Sequence, residues 1–274
     1  MKVGYIVVGG GSVGLASLYY NYYGVGNRCR GGSGGNGGAI AYSSYANSNL
    51  TLLQNNTYTI KVGSGATYTN TNIEMVTVLA GRYFYYMNTI TSSGADSYIS
   101  LSTTKIINAK GGIHPYTNYN TQFKTTNTAS ATGGTYNFNG GNGSDGGTSG
   151  FIATTYNKGG FGCLVDISNE IYTYGYSYYG GGGGGGIGQD HLGDSAGPGG
   201  NGRIDVNNKA ISLGCNDQND GRGGINNTSG SDGISNKGGG GGGGGAGGAD
   251  DSGNVYKGGN GGSGVVIIYF PTPT

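Results

Sequence analysis

The sequence predicts an all-β fold: a β-sandwich-like frame of strands with glycine-rich segments packed as polyglycine-II-type helices or loops, and almost no α-helix. Glycine fills 66 of the 274 positions, far above its average usage of about 7%. Each glycine costs a helix about 1 kcal/mol, and the Thr, Asn, Tyr and Ser between the glycines are weak helix formers. Short runs of β-branched and aromatic residues bounded by Gly and Asn, which are typical of strands, recur along the chain.

The strand signals begin and end the chain. The runs 4–9 and 265–270 are almost wholly apolar, as in central strands covered on both faces, so we expect the two ends to meet in one sheet. Alternation is clearest in 57–63, where Tyr58, Ile60 and Val62 share one face. The remaining predicted strands are 72–80, 83–87, 98–108, 163–167 and 171–174.

Glycine segments lie between the strands. Their irregular spacing and the total of 4 Pro exclude collagen. An isolated polyglycine helix has three residues per turn, no internal hydrogen bonds and a large entropic cost of ordering. Several such helices packed together offset that cost, because backbones without Cβ atoms approach closely and bond to each other. We therefore expect a bundle clamped by strands rather than a disordered linker, formed by segments 31–38, 133–150, 180–186, 197–202, 238–245 and 258–264.

We predict a single glycine-rich β domain over residues 1–274. Composition divides it into a strand-rich part, a variable part rich in Thr, Asn and Tyr, a polyglycine-rich part and a closing strand with a tail. The four parts span 1–112, 113–178, 179–264 and 265–274.

Charge and apolar content disfavour several function classes. The formal net charge is +1 and 10% of residues are charged, without a basic block, so we expect no binding to nucleic acid or to anionic membranes. No apolar run approaches the roughly 18 residues of a transmembrane helix, so we expect no membrane insertion. The first apolar run is too short for a signal peptide. Three widely spaced cysteines, Cys29, Cys163 and Cys215, suit small buried thiols rather than disulfides or zinc.

A strand followed by G-x-G-x-x-G, Tyr5-Ile-Val-Val-Gly-Gly-Gly-Ser-Val-Gly14, imitates the fingerprint of flavin-dependent oxidoreductases. That fingerprint requires a helix after the glycines and an acidic residue about 20 positions on. The first acidic residue of this chain is Glu74, so the flavoenzyme interpretation is a remote alternative.

Three other stretches imitate functional sites. Gly193-Asp-Ser-Ala-Gly-Pro198 resembles a serine protease nucleophile segment, but neither His114 nor His191 has the context of a catalytic base. The stretch 140–147 is a single copy of a calcium-binding nonapeptide, whose sites need stacked repeats. The stretch 216–221 begins like a calcium loop but has no Glu at the twelfth position. We therefore expect no catalytic residues, no metal site and no cofactor.

Five motifs, spread over nearly the whole chain, resemble the glycine-rich domains of giant-virus and bacteriophage particle proteins. They are Tyr5-Ile-Val-Val-Gly-Gly-Gly11, Thr57-Tyr-Thr-Ile-Lys-Val-Gly-Ser-Gly65, Gly94-Ala-Asp-Ser-Tyr-Ile-Ser100, Ile106-Ile-Asn-Ala-Lys-Gly-Gly112 and Gly261-Gly-Ser-Gly-Val-Val-Ile-Ile268. The resemblance implies a capsid-associated, tail-fibre or adhesin component with packed polyglycine helices. The sequence departs from that pattern at 113–135, where Thr, Asn and Tyr replace Gly.

Tyrosine dominates the candidate contact surface, because the chain has 24 Tyr and no Trp. Tyr combines a large contact area with few rotamers and a polar tip, which suits either subunit packing or ligand contact. The stretch 113–130 is the candidate exposed loop. The candidate contact residues are Tyr20, Tyr22, His114, Tyr116, Tyr119, Tyr172, Tyr174, Tyr176 and Tyr178.

These observations predict a non-enzymatic structural component of a virus particle surface. We expect it to be made in the host cytoplasm, to leave the cell within particles, and to assemble with other capsid or fibre subunits. The alternative is a receptor-binding adhesin at a tail-fibre tip, with a host-surface glycan or protein as its partner.

Overall fold

A computed structural model describes residues 1–22, 26–67, 72–78, 82–88, 92–114, 129–143, 163–166, 176–183, 228–244 and 256–270. Within these ranges the chain forms strands and no helix, which confirms the all-β prediction. The strands are β1 (Gly4–Val8), β2 (Leu18–Tyr22), β3 (Gly26–Arg30), β4 (Ile40–Ser43), β5 (Tyr58–Lys61), β6 (Asn72–Val78), β7 (Arg82–Asn88), β8 (Ser97–Leu101), β9 (Thr104–Ala109), β10 (Ala131–Thr132), β11 (Tyr136–Phe138), β12 (Cys163–Asp166), β13 (Tyr176–Tyr179) and β14 (Val265–Tyr269).

The first and last strands pair in the central sheet, as predicted. This sheet has the order β11-β4-β1-β14, and β1 runs antiparallel to β14 from Gly4 opposite Tyr269 to Val8 opposite Val265. All five residues of β1 are buried, as expected of a central strand. The same expectation for β14 is wrong: it is the edge strand of this sheet among the described residues, and its first four residues are only partly buried.

A second sheet has the order β10-β9-β8-β5. The prediction of one strand over 98–108 is wrong, because the chain reverses there and β8 pairs antiparallel with β9. The reversal occurs between the paired residues Leu101 and Thr104, at Ser102, which adopts a φ of 53°. A left-handed conformation of this kind is uncommon for a residue other than glycine, so the sequence carried no turn signal here.

The central sheet is covered on both faces, which gives the sandwich-like frame. Residues of β1 alternate between the two faces: Tyr5 and Val7 pack with Ile99 and Ile107 of the second sheet. The opposite face of the sheet packs against the antiparallel hairpin β12–β13, and its buried core consists of Ile6, Val8, Ile40, Tyr42, Tyr269, Val165 and Tyr179.

A third sheet has the order β3-β2-β7-β6, and its strands β2 and β3 are joined to glycine segments rather than to strands of the frame. Its strand β2 begins directly after the glycine-containing segment that ends at residue 17. Its strand β3 ends directly before the segment that begins at residue 31. The strands β2, β3, β4, β10, β11 and β13 were not predicted. The predicted strand 171–174 lies outside the described residues.

Candidate functional site: a lattice of glycine segments

One glycine-containing segment, 9–17, lies at the centre of the bundle, and we call it the central segment. Every third amide of the central segment donates to segment 31–39, which runs antiparallel to it. The N···O distances are 3.0 Å from Gly9 to Ala39, 2.8 Å from Ser12 to Asn36 and 2.7 Å from Leu15 to Ser33.

A second face of the central segment repeats the pattern with another neighbour. Its amides at Gly11, Gly14 and Ser17 donate to carbonyls of segment 256–264, again at intervals of three residues and antiparallel. The central carbonyls of Ser12 and Leu15 accept from segment 238–244, which runs parallel to it. A three-residue period is that of a polyglycine-II helix, so each side of the helix serves one neighbour.

The other segments bond to each other in the same way. Amides of segment 31–39 donate at every third residue to segment 238–244, which in turn accepts from 256–264. Segment 228–234 donates to 256–264. The central segment alone is bonded to six other described segments, namely 31–39, 63–67, 92–96, 110–114, 238–244 and 256–264. This network, which we call the lattice, contains the described parts of five predicted glycine segments, 31–38, 133–150, 180–186, 238–245 and 258–264. The central segment was not among the predicted segments, and the predicted segment 197–202 lies outside the described residues.

Close contact between backbones explains why the lattice requires glycine. A Cβ atom built on Gly11 would lie 1.9 Å from the carbonyl oxygen of Gly239. One built on Gly35 would lie 2.3 Å from the carbonyl oxygen of Ser12. Both values are below the 3.0 Å that real Cβ atoms respect, so a side chain at either position would force segments apart.

Asn36 links three other segments from inside the lattice. Its side chain is fully buried; Nδ2 donates to the Ile113 carbonyl at 2.6 Å, and Oδ1 accepts from the Gly143 amide at 2.8 Å. Its own amide donates to the Ser12 hydroxyl at 2.7 Å. The donor and the acceptor of this buried side-chain amide are thus both hydrogen-bonded, and the side chain takes the place of a backbone-to-backbone hydrogen bond between segments.

Side chains of the frame clamp the ends of the lattice. The Ser97 hydroxyl, fully buried in β8, accepts from the Gly63 amide at 2.8 Å. The Asp96 carboxylate accepts from the Gly111 amide at 3.1 Å, and its second oxygen lies 3.2 Å from Lys105 Nζ. Backbone amides at the boundary of the lattice therefore donate hydrogen bonds to side chains in or next to β8.

The predicted contact residues fall on different parts of the chain. Tyr20 and Tyr22 lie in β2, and Tyr176 and Tyr178 lie in β13. Tyr172, Tyr174, Tyr116 and Tyr119 lie outside the described residues. A contact role for these residues stays a prediction.

His114 ends a lattice segment and is partly buried, with its Nε2 atom shielded from solvent. Its amide donates to the Ser93 hydroxyl at 3.0 Å, and its Nε2 has no hydrogen-bond partner among the described residues. Desolvation by burial lowers the pKa of the imidazole to about 4, so His114 is neutral at pH 7. Sequence reasoning selected it as an exposed contact residue and gave no sign of this burial.

The G-x-G-x-x-G motif forms part of the central segment. The helix that a dinucleotide site needs after Gly14 does not form, because residues 15–17 continue the lattice and β2 follows. The stretches 193–198 and 216–221 lie outside the described residues, and of 140–147 only 140–143 is described.

Among the described residues, no three His, Cys, Asp or Glu side chains form a group that could hold a metal ion. The part of the chain that the structure describes also has no helix that could cross a membrane. Comparisons with protein-family models, with curated proteins and with solved structures found no match for this chain.

Proposed function

We propose that this chain is a non-enzymatic structural component of a virus particle surface, a capsid-associated or fibre protein that contacts other virion subunits. The observation that carries the proposal is the three-residue period of hydrogen bonds between glycine segments. Such a lattice is a rigid spacer, because each segment is fixed by several neighbours rather than by its own turns.

The dimensions of the lattice suit a spacer. Nine residues of polyglycine-II helix, as in segment 9–17, extend about 28 Å at about 3.1 Å per residue. The central segment joins the frame to the third sheet, since β1 of the frame directly precedes it and β2 of the third sheet directly follows it. The lattice therefore holds two groups of strands at a fixed separation.

The virion location is supported by the five sequence motifs. Those motifs resemble glycine-rich particle proteins, and all five of them contribute lattice or clamp positions, namely Gly9–Gly11, Gly63–Gly65, Gly94–Ser97, Lys110–Gly112 and Gly261–Gly264.

The test is to purify particles from the source culture through a density gradient and to quantify this chain against a major capsid protein by mass spectrometry. We expect a constant ratio across the particle peak. We also expect an antibody against this chain to label intact particles, and the labelling to disappear when the antibody is first blocked with the purified chain. A ratio that falls to background in washed particles would refute the virion location.

A second experiment addresses the alternative role of receptor-binding adhesin. The isolated chain is incubated with host cells, alongside variants in which Tyr116 and Tyr119, or Tyr174 and Tyr176, are replaced by Ser. The structural proposal predicts no saturable binding. Saturable binding that one pair of substitutions abolishes would favour the adhesin over the scaffold.

A further inference from the structure

Asparagine followed by glycine is prone to a spontaneous reaction, because glycine has no side chain to keep its amide nitrogen away from the asparagine carboxamide. The nitrogen attacks Cγ, the bond from Cγ to Nδ2 breaks, and ammonia leaves as a succinimide ring closes. Water then opens the ring at either carbonyl and gives aspartate or isoaspartate, so the reaction needs no enzyme, metal or oxidant. The described residues contain four such dipeptides, which begin at Asn36, Asn139, Asn142 and Asn260.

Hydrogen bonds of the lattice protect three of these dipeptides. Ring closure requires the glycine amide to lose its proton and turn towards the side chain, so a hydrogen bond donated by that amide opposes the reaction. The amide of Gly37 donates to the Gly141 carbonyl at 2.9 Å, that of Gly143 to Asn36 Oδ1 at 2.8 Å, and that of Gly261 to the Ala66 carbonyl at 2.9 Å.

Two of the protected asparagines are also held by their side chains. Asn36 Nδ2 donates to the Ile113 carbonyl at 2.6 Å, and Asn260 Nδ2 lies 3.2 Å from Asp232 Oδ2. Rotation of either carboxamide towards the following amide would break these bonds.

Asn139 lies where the central sheet meets the lattice. It directly follows β11, which ends at Phe138, and its side chain is exposed. The amide of Gly140 makes no hydrogen bond with another described residue. The bonds of the lattice begin one residue later, where the Gly141 amide donates to the Gly180 carbonyl at 2.6 Å. The dipeptide at Asn139 is therefore held neither by the strand pairing nor by the lattice.

We propose that Asn139 is a modification site, at which the folded protein deamidates spontaneously through a succinimide. Each reaction adds one negative charge, so the formal net charge of +1 becomes zero. Isoaspartate also carries the backbone through the former side chain and lengthens it by one methylene group. The insertion lies just before Gly141, whose carbonyl accepts from the Gly37 amide. The modified fraction rises with the age of the protein, whether or not the chain is part of a particle.

Peptide mapping by mass spectrometry measures the reaction at each asparagine separately. The folded full chain is kept in warm, mildly alkaline buffer, samples are digested at intervals, and fragmentation assigns each deamidation to one residue. The mass rises by the difference between water and ammonia, and chromatography separates aspartate from isoaspartate. We expect Asn139 to react at least about tenfold faster than Asn36, Asn142 and Asn260. A tenfold difference corresponds to about 1.4 kcal/mol, which is within the cost of leaving a buried group unbonded.

The same chain unfolded in urea is the control, because the lattice bonds are then absent and the four dipeptides should react at similar rates. The variant Asn139→Gln is the matched substitution: it keeps a side-chain amide, but ring closure would need a larger and less readily formed ring. Its folded form should release several-fold less ammonia than the unsubstituted chain. The proposal is overturned if Asn139 reacts no faster than the other three in the folded chain, or if it leads them by the same factor in urea.

Discussion

Replacing Gly11 by Ala tests the lattice, because a flexible loop and a packed lattice predict changes of opposite sign in the free energy of unfolding. In a flexible glycine-rich loop, Gly→Ala restricts the unfolded chain and stabilises the protein by about 0.4–1 kcal/mol. Gly11 has no positive φ that would forbid alanine, so the backbone conformation alone would permit this gain. In the lattice the added methyl group instead meets the carbonyl oxygen of Gly239 at 1.9 Å.

The size of the effect follows from the separation that the methyl group requires. Contacts below 3.0 Å are essentially never seen for real Cβ atoms, so segment 238–244 must move away from the central segment by about 1 Å. The neighbouring bond from the Gly241 amide to the Ser12 carbonyl, now 3.0 Å, would then exceed hydrogen-bonding distance. Overpacking costs about 1–3 kcal/mol and each buried group left unbonded about 1–3 kcal/mol. We expect a loss of about 3–5 kcal/mol.

Urea unfolding followed by circular dichroism measures this loss, and thermal unfolding should show a melting temperature lower by about 10 °C. Ala16→Gly, in the same segment, is the control. It removes a methyl group that the lattice already accommodates, and it should cost only about 1 kcal/mol through the entropy of the unfolded chain. If Gly11→Ala left stability unchanged or raised it, the segments could not be packed as described.

Three further predictions concern single side chains. Asn36→Ala should lower the free energy of unfolding by about 2–4 kcal/mol, because it removes the side-chain partners of the Ile113 carbonyl and the Gly143 amide; an unchanged urea midpoint would contradict its linking role. Gly4→Ala should destabilise the frame by about 1–3 kcal/mol, since a Cβ there would lie 2.2 Å from the Tyr269 ring, and the cost should largely disappear in a Tyr269→Ala background. His114 has its pKa lowered from 6.5 to about 4, so its contribution to stability should be present above pH 6.5 and be lost as the pH falls towards 4. The unfolding free energy of His114→Gln should therefore depend less on pH in that window; equal slopes would show that the imidazole is not buried.

The sequence was sufficient for features that depend on local pattern. The apolar runs at the two ends predicted the pairing of β1 with β14, and the runs of the other predicted strands in the described ranges mark real strands except at the 98–108 hairpin. Dense glycine without the collagen period predicted packed polyglycine helices, because few other arrangements bond so many backbone groups.

Features that depend on distant residues could not be predicted. Asn36 bonds to residues 77 and 107 positions away, and one Asn among many Asn in glycine-rich sequence has no local mark of such a role. The burial of His114 likewise depends on segments that pack around it from elsewhere in the chain. The status of β14 as an edge depends on which strands lie beside it, and its apolar sequence indicates only that both faces are partly covered.

The lattice also determines how the protein responds to temperature. Its interior consists of peptide groups rather than apolar side chains, and unfolding would expose mainly polar surface there. Apolar exposure raises the heat capacity of unfolding and polar exposure lowers it, so the increment per residue should fall below the usual value of about 12–15 cal/mol/K. A small heat capacity increment flattens the curve of unfolding free energy against temperature. A protein built in this way keeps a more nearly constant stability over a wide range of temperature.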